Sequence, residues 1–353
     1  MGWDYKKYGS EADPIRQSDL NEIAGTYGCA ARFKYRKELD AEGQVAEYQF
    51  APSKRTIGTA VHNTIARYLT GAAKARLFAG EVPSDTGVAQ VFAAEMEKAR
   101  EGLPVDWKDS NPDRELAASV AMVKGALAGI VLRAEDIVLC EAEFLAEVEA
   151  GEKSYWISGT VDVVYVPRGR PGEIGLADWK TGETRLHPIL LDHGYQFGFY
   201  SHALAKGLFI TDKASGSTRS IGQHPSEIYL AHLRDYVPYL KAGTKTVERA
   251  EDCEHYGVSP GTKVKFSAGD FRGPAWYRAN RTPEQVQRLA HSIRTLVGVV
   301  RRGGFVESIG EHCMRCPHKQ RCLNEGYGAT GDERSALEKN LRGLSDVDDG
   351  LAA

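Results

Sequence analysis

Gly159-Thr-Val-Asp162, followed a hairpin's distance later by Asp178-Trp-Lys180-Thr-Gly182, sets charges inside segments that otherwise read as buried β-strand. From Tyr155 to Val166 the residues are largely β-branched and aromatic, interrupted on one side by Ser158, Thr160 and Asp162. In Ile174-Gly-Leu-Ala-Asp-Trp-Lys180 the two-residue period of a strand points Asp178 and Lys180 to one face and Trp179 to the other. An unpaired charge there costs several kcal/mol, so these groups must pair or hold a metal. Two carboxylates can bind a divalent cation, and a lysine beside it can steer or deprotonate a water. That is equipment for metal-dependent phosphodiester hydrolysis.

The rest of the chain supplies the scaffold. A helix is expected from Ser18 as N-cap, carrying Leu20, Ile23 and Tyr27 to Gly28, and another over Ile57–Leu69 with Val61 and Ile65 on its stripe and His62 at the edge. Residues 72–135 read as a helical insertion, with Val88 and Phe92 on one stretch. Leu116, Val120, Val123, Leu127 and Ile130 lie on another, which Asn111-Pro112 opens as cap and first-turn proline. From Ile137 to Glu149 the even positions, Val138 to Val148, are apolar while Glu141, Glu143 and Glu147 take the other face. Gly151-Glu152 and Pro167–Gly172 read as turns, Gly194–Lys206 as a helix with Gln196 and Tyr200 on one face, and Ile228–Leu233 as a strand. Residues 235–280 look loop-rich. Thr282-Pro-Glu-Gln285 opens a helix with Val286, Leu289, Ala290, Ile293, Leu296, Val297 and Val300 as its stripe. The expected fold is α/β, a mixed sheet flanked by helices.

Charge decides little. The formal net charge of −3 is wrong at first sight for a protein that handles nucleic acid, but residues 328–353 hold six acids against three bases and read as a flexible tail. Arg32-Phe-Lys-Tyr-Arg-Lys37 is a basic patch with aromatics interleaved, able to track a strand by phosphate contact and stacking or to be a solvated charge run. No run of about 18 apolar residues suggests a membrane span. Met1-Gly-Trp-Asp-Tyr-Lys-Lys7 lacks a signal peptide's apolar core, so a cytoplasmic location is expected.

Cys313-Met-Arg-Cys316-Pro-His-Lys-Gln-Arg-Cys322 is a C-x2-C-x5-C cluster. Three thiolates so close together in an intracellular chain suit a metal better than a disulfide framework. The fourth ligand could be Cys29, His312 or His318. Spacing leaves zinc and a four-iron, four-sulfur cluster equally open. Cys140 reads as a small buried hydrophobe.

In order and in context these segments resemble the RecB-like branch of the PD-(D/E)XK nucleases, above all the iron–sulfur CRISPR-associated and phage RecB-like exonucleases and the nuclease domain of the AddB helicase–nuclease subunit. Gly58-Thr-Ala-Val-His62 resembles the first motif, Gly159-Thr-Val-Asp162 the second, Asp178-Trp-Lys180-Thr-Gly182 the third, and Gln196-Phe-Gly-Phe-Tyr200 the Q-x3-Y helix after the catalytic strands. The resemblance implies a restriction-endonuclease-like sheet in one nuclease domain over residues 1–326: insertion about 72–135, catalytic core about 137–234, C-terminal helix and cysteines about 282–326, then the tail 327–353. It implies Mg²⁺ or Mn²⁺, one or two ions, held by His62, Asp162, Asp178 and the backbone carbonyl of Trp179. Glu141 or Glu143 is within reach, Glu141 being preferred. Lys180 is the water-orienting residue, and Gln196 and Tyr200 touch DNA or pack on the sheet. It also tilts Cys29, Cys313, Cys316 and Cys322 towards a 4Fe-4S cluster, with zinc as the alternative.

The function expected is a DNA exonuclease for single strands or duplex ends, in recombination, repair, replication or CRISPR adaptation, with a helicase or adaptation complex as partner. The competing class is a catalytically silent nucleic-acid-binding or docking module, against which Asp162, Asp178 and Lys180 together argue. A zinc-stabilised helicase accessory subunit is a third. No G-x4-GK-[ST] loop is present to make the chain a motor of that type.

Overall fold

The computed structural model describes residues 3–24, 29–42, 50–107, 111–182, 195–212, 217–237, 240–246, 263–266, 276–279, 283–305, 316 and 318. Cys253, the segment after Cys322 and the tail lie outside them. The chain forms two compact units, one of residues 1–47, 147–158 and 287–353, the other of residues 48–146 and 159–286.

The first unit holds β1 (Ile15–Arg16), α1 (Gln17–Ala24) and α2 (Ala30–Ala41). Ser18 is not the cap expected. The helix starts one residue earlier, and Asp19 closes its first turn by accepting from the Arg16 N–H at 3.0 Å. The basic patch is likewise spent internally. Arg36 pairs with Asp19 at 2.8 Å, Glu22 at 2.8 Å and Asp40 at 3.2 Å, Arg32 pairs with Glu22 at 3.1 Å, and Lys37 pairs with Asp13 at 2.6 Å. Phe33 and Tyr35 are buried, so they fill core rather than stack on bases.

The second unit opens with β2 (Ala51–Pro52), paired to β3 (Val105–Asp106), and with the helices α3 (Ser53–Thr70), α4 (Lys74–Phe78), α5 (Asp85–Ala99) and α6 (Pro112–Arg133). The Asn111 cap is the one the sequence predicts, and Ser84 adds another. Ser84 accepts from the Gly87 N–H at 3.1 Å, and Asn111 accepts from the Asp113 and Arg114 N–H groups at 2.9 and 3.2 Å. Ile57, Val61 and Ile65 of α3, Phe92 of α5, and Val123, Leu127 and Ile130 of α6 join one core with sheet residues Val163 and Trp179. Leu116, expected on the α6 stripe, is exposed. By length and composition α6 could cross a membrane, but half of it is buried in this core.

The main sheet contains β4 (Ala134–Ala150), β5 (Lys153–Pro167), β6 (Gly175–Lys180), β7 (Leu208–Asp212), β8 (Ser217–Ser220), β9 (Glu227–His232) and β12 (Trp276–Ala279). Their order is β12-β9-β6-β5-β4-β7-β8, with β1 parallel to β5 at Ile157–Ser158. Antiparallel β5–β6 and parallel β6–β9 make it a mixed sheet, flanked by helices including α7 (Tyr195–Lys206). β10 (Leu240–Thr246) and β11 (Lys263–Phe266) form a ribbon of their own where only loop was expected, and α8 (Pro283–Arg301) buries Leu289, Ile293, Val297 and Val300 as its stripe predicts.

β4 departs from its expected alternation. Ile137 and Leu139 are buried ahead of residue 141, and Ala142, Phe144, Ala146 and Val148 after it, so the buried set moves from odd to even positions. Glu141 stands at the slip with φ 47°, in the left-handed region that a non-glycine residue seldom occupies. Such an irregularity re-aims one side chain without ending the strand.

Candidate metal centre

α3, β4 and β5 bring three donors together. His62 Nδ1 lies 3.2 Å from Glu141 Oε1 and 3.6 Å from Asp162 Oδ2, and the donor atoms of the three residues all fall within 4.8 Å of one another. The slip in β4 gives Glu141 this place. Two glycines permit the close packing around it. A Cβ on Gly58 would meet Thr181 Oγ1 at 3.1 Å, and one on Gly159 would meet the Phe144 ring at 2.9 Å.

Asp178 and Lys180 sit on β6 beside this group. The register Val163↔Ala177 makes Asp162 and Asp178 neighbours across the ladder. The Trp179 N–H donates to Asp162 Oδ2 at 2.6 Å, so the observed contact of Trp179 with the centre is made by its N–H. Lys180 Nζ lies 2.6 Å from Asp178 Oδ2. Gln196 on α7 links the pair. Its amide donates to Asp178 Oδ1 at 2.7 Å and to Tyr200 Oη at 2.8 Å, while its Oε1 accepts from Lys180 Nζ at 3.1 Å. Gln196 therefore engages the Asp178–Lys180 pair itself, and Tyr200 joins it only through the Gln196 amide. Tyr200 also meets Phe144 edge-on, with ring centroids 6.1 Å apart.

Crowded charge shapes the proton affinities. Burial and the charge of Asp178 push Asp162 up to about 8, against the pull of His62 and Lys180. Burial lowers His62, but Asp162, Glu141 and Asp178 outweigh it and bring the imidazole up to about 9. Lys180 moves the same way: burial lowers it, and Asp178 and Asp162 more than compensate. Burial and the same carboxylates hold the Tyr200 phenol well above its ordinary value. Carboxylate oxygens from Glu141 and Asp162 with one imidazole make a donor set that suits a hard divalent cation, which would displace the protons held there.

The cysteines are placed in part. Cys29 is buried at the N-terminal end of α2, clustered with Ala31 and Tyr35, and the His318 ring packs 5.9 Å from that of Tyr35. Cys29 is in no disulfide among the described residues, Cys316 is half-buried, and Cys313 and Cys322 lie outside those residues. Cys140 is half-buried at the edge of the core, its thiol pushed well up by burial and by Glu141 and Asp162.

Sequence reasoning missed His232. The parallel register puts it opposite Lys180. It is buried, its Nδ1 lies 3.2 Å from Asp235 Oδ1, and its Nε2 has no hydrogen-bond partner among the described residues. The signal was present in Ile228–Leu233, a segment expected to be a strand, but only the pairing with β6 puts His232 beside the lysine.

No curated protein matches the chain. One similar solved structure, "Crystal structure of SSO0001", shares 13% identity at a TM-score of 0.28, over 80% of this chain and 90% of that one, a likeness too faint to add weight. The family model described as "PD-(D/E)XK nuclease superfamily" matches residues 21–323, which include the histidine helix, both acidic strands and the Gln/Tyr helix. The chain belongs to the PD-(D/E)XK nuclease superfamily.

Proposed function

We propose that the protein is a Mg²⁺- or Mn²⁺-dependent DNA exonuclease acting on single strands or duplex ends, in recombination, repair, replication or CRISPR adaptation. The observation that carries this is the meeting of His62, Glu141 and Asp162 within 4.8 Å beside the Asp178–Lys180 pair. His62, Glu141, Asp162 and Asp178, with the backbone carbonyl of Trp179, would hold the cation. When bound, it supplies charge stabilisation for the scissile phosphate. Lys180, held as an ammonium by its two carboxylates, donates a hydrogen bond that orients the attacking water. Gln196 fixes the direction of that ammonium and of Asp178, and the Trp179 N–H fixes Asp162.

Cys29, Cys313, Cys316 and Cys322 would hold a structural 4Fe-4S cluster, with zinc as the alternative. What supports this reading is the burial of Cys29 at the start of α2 and the contact of His318, two residues beyond Cys316, with Tyr35 on that helix. Metal binding of this kind is linked to folding, so its loss should destabilise the chain.

The test is purification without oxygen, measurement of visible absorbance, and incubation with end-labelled single- and double-stranded DNA and Mn²⁺ or Mg²⁺. Digestion that persists in both Asp178→Ala and Lys180→Ala would sink the active-site reading. A colourless protein that contains zinc would sink the cluster.

A further inference from the structure

The chain leaves the sheet for its basic ribbon at the lysine end of the metal centre. β9 runs parallel to β6 with His232 opposite Lys180, so the exit from β9 is at that end. The turn that follows, Leu233–Tyr236, is tied there: Arg234 Nε donates to the Thr181 carbonyl at 3.1 Å, and its Nη2 donates to Glu115 at 2.8 Å. β10 starts four residues after Tyr236, within about 14 Å of it even if fully extended. After β11 the chain returns as β12, whose Trp276 pairs with Ala231, again beside His232.

The ribbon's eleven residues, seven in β10 and four in β11, contain four lysines and no acid. The register sets Lys241 opposite Lys265, and Lys263 lies two residues further along β11. Like charges directly opposite destabilise a strand pair, and a two-stranded ribbon alone is marginal in water. A polyanion laid along the ribbon would remove that repulsion. The connecting residues 247–262 hold four acids and one arginine, which confines the basic charge to the strands.

We propose that β10–β11 is a phosphate-binding arm that holds the nucleic-acid strand entering the metal centre, a reading that rests on the nuclease function above. It supplies a local positive field in a chain of net charge −3, one that Arg32–Lys37, internally paired, does not provide. Lysines can also serve only to guard a strand edge against aggregation. The two roles differ in salt-dependent affinity for DNA.

The experiment compares the full-length protein with the triple variants Lys241→Gln/Lys263→Gln/Lys265→Gln and Lys241→Arg/Lys263→Arg/Lys265→Arg. Binding of a labelled single-stranded oligonucleotide is followed against KCl without divalent metal, and hydrolysis of bis(p-nitrophenyl) phosphate is measured separately with Mn²⁺. For the glutamine variant the slope of log K against log salt should fall in magnitude by about 2, at roughly 0.7 per lost phosphate contact. Small-ester hydrolysis should be unchanged, and the arginine variant should bind like the parent. An unchanged slope and affinity in a glutamine variant with the parent's thermal unfolding overturns the arm. If that variant does not fold, Lys265→Gln alone decides by the same criterion, with an expected change of about 0.7. Absence of small-ester hydrolysis in the parent would count against the nuclease reading, while the binding slopes still judge the arm.

Discussion

Gln196 donates its side-chain amide to Asp178 Oδ1 at 2.7 Å, and with its own oxygen it takes a hydrogen bond from Lys180, the partner of that aspartate. One neutral side chain thus orients both charged members of the third motif. Removing it leaves an ion pair free to rotate in a buried place. Gln196→Ala should lower Mn²⁺ affinity or turnover by about 10–100-fold, as losses of groups that orient metal ligands do. Tyr200→Phe should do far less, because Tyr200 only accepts from the same amide. Mn²⁺ titration and steady-state hydrolysis check both, and equal effects from the two variants would refute the hub.

Glu141 keeps a φ of 47° to reach His62, and a non-glycine residue in that region is strained by about 1 kcal/mol or more. Asparagine tolerates the left-handed region and adds no charge. Above pH 9, where the pairing with protonated His62 no longer contributes, Glu141→Asn should stabilise the metal-free chain by up to about 1 kcal/mol while weakening Mn²⁺ binding. Urea denaturation and metal titration measure the two, and a destabilised metal-free variant would count against stored strain.

Metal-free stability should fall as pH rises towards 9. Folded His62 keeps its proton up to about 9 against an ordinary value of 6.5, and Asp162 to about 8 against 3.8. Both folded values are raised, so each contribution is full below the ordinary value and lost as pH climbs through the folded one. The windows are 6.5 to about 9 for His62 and 3.8 to about 8 for Asp162. A cation displaces those protons, so the Tm gain from Mn²⁺ should grow over the same range. Melting curves from pH 6 to 9, with and without Mn²⁺, read this directly. A gain that shrinks with pH would contradict it.

Gly159 lies under Phe144, whose ring would stand 2.9 Å from an added Cβ. Gly159→Ala should cost about 1–3 kcal/mol by overpacking. Phe144→Leu should restore part of that loss, and a double-mutant cycle on urea midpoints would reveal the coupling. Additive effects would show that the ring is not what demands the glycine.

Cys29→Ser should remove visible absorbance and lower Tm if Cys29 ligates the cluster, because its ligand is then lost from a site linked to folding. Cys140→Ser, at the edge of the core, should leave the absorbance intact. Colour retained in Cys29→Ser would remove Cys29 from the ligand set.

Much of the scaffold was written in local pattern. The stripes of α3, α5, α6 and α8, the Asn111 cap, the turn at Gly151 and the alternation that sets Asp178 and Lys180 on one face all depend on residues a few positions apart. Those short-range rules also gave the order of His62, Asp162, Asp178-x-Lys180 and Gln196-x3-Tyr200 along the chain.

Tertiary structure decided the rest, because it turns on register between segments far apart in sequence. A single irregular residue in β4 turned Glu141 towards His62, a shift that the hydrophobic alternation alone does not signal. Parallel pairing of β6 with β9 put His232 opposite Lys180, and the acids of α1 and its flanking residues consumed a basic patch that looked ready for DNA. The sequence by itself determined which chemical groups the site could draw on. Only the long-range pairings fixed which of them meet, since a charge's partner is set by distance in space, which sequence periodicity does not carry.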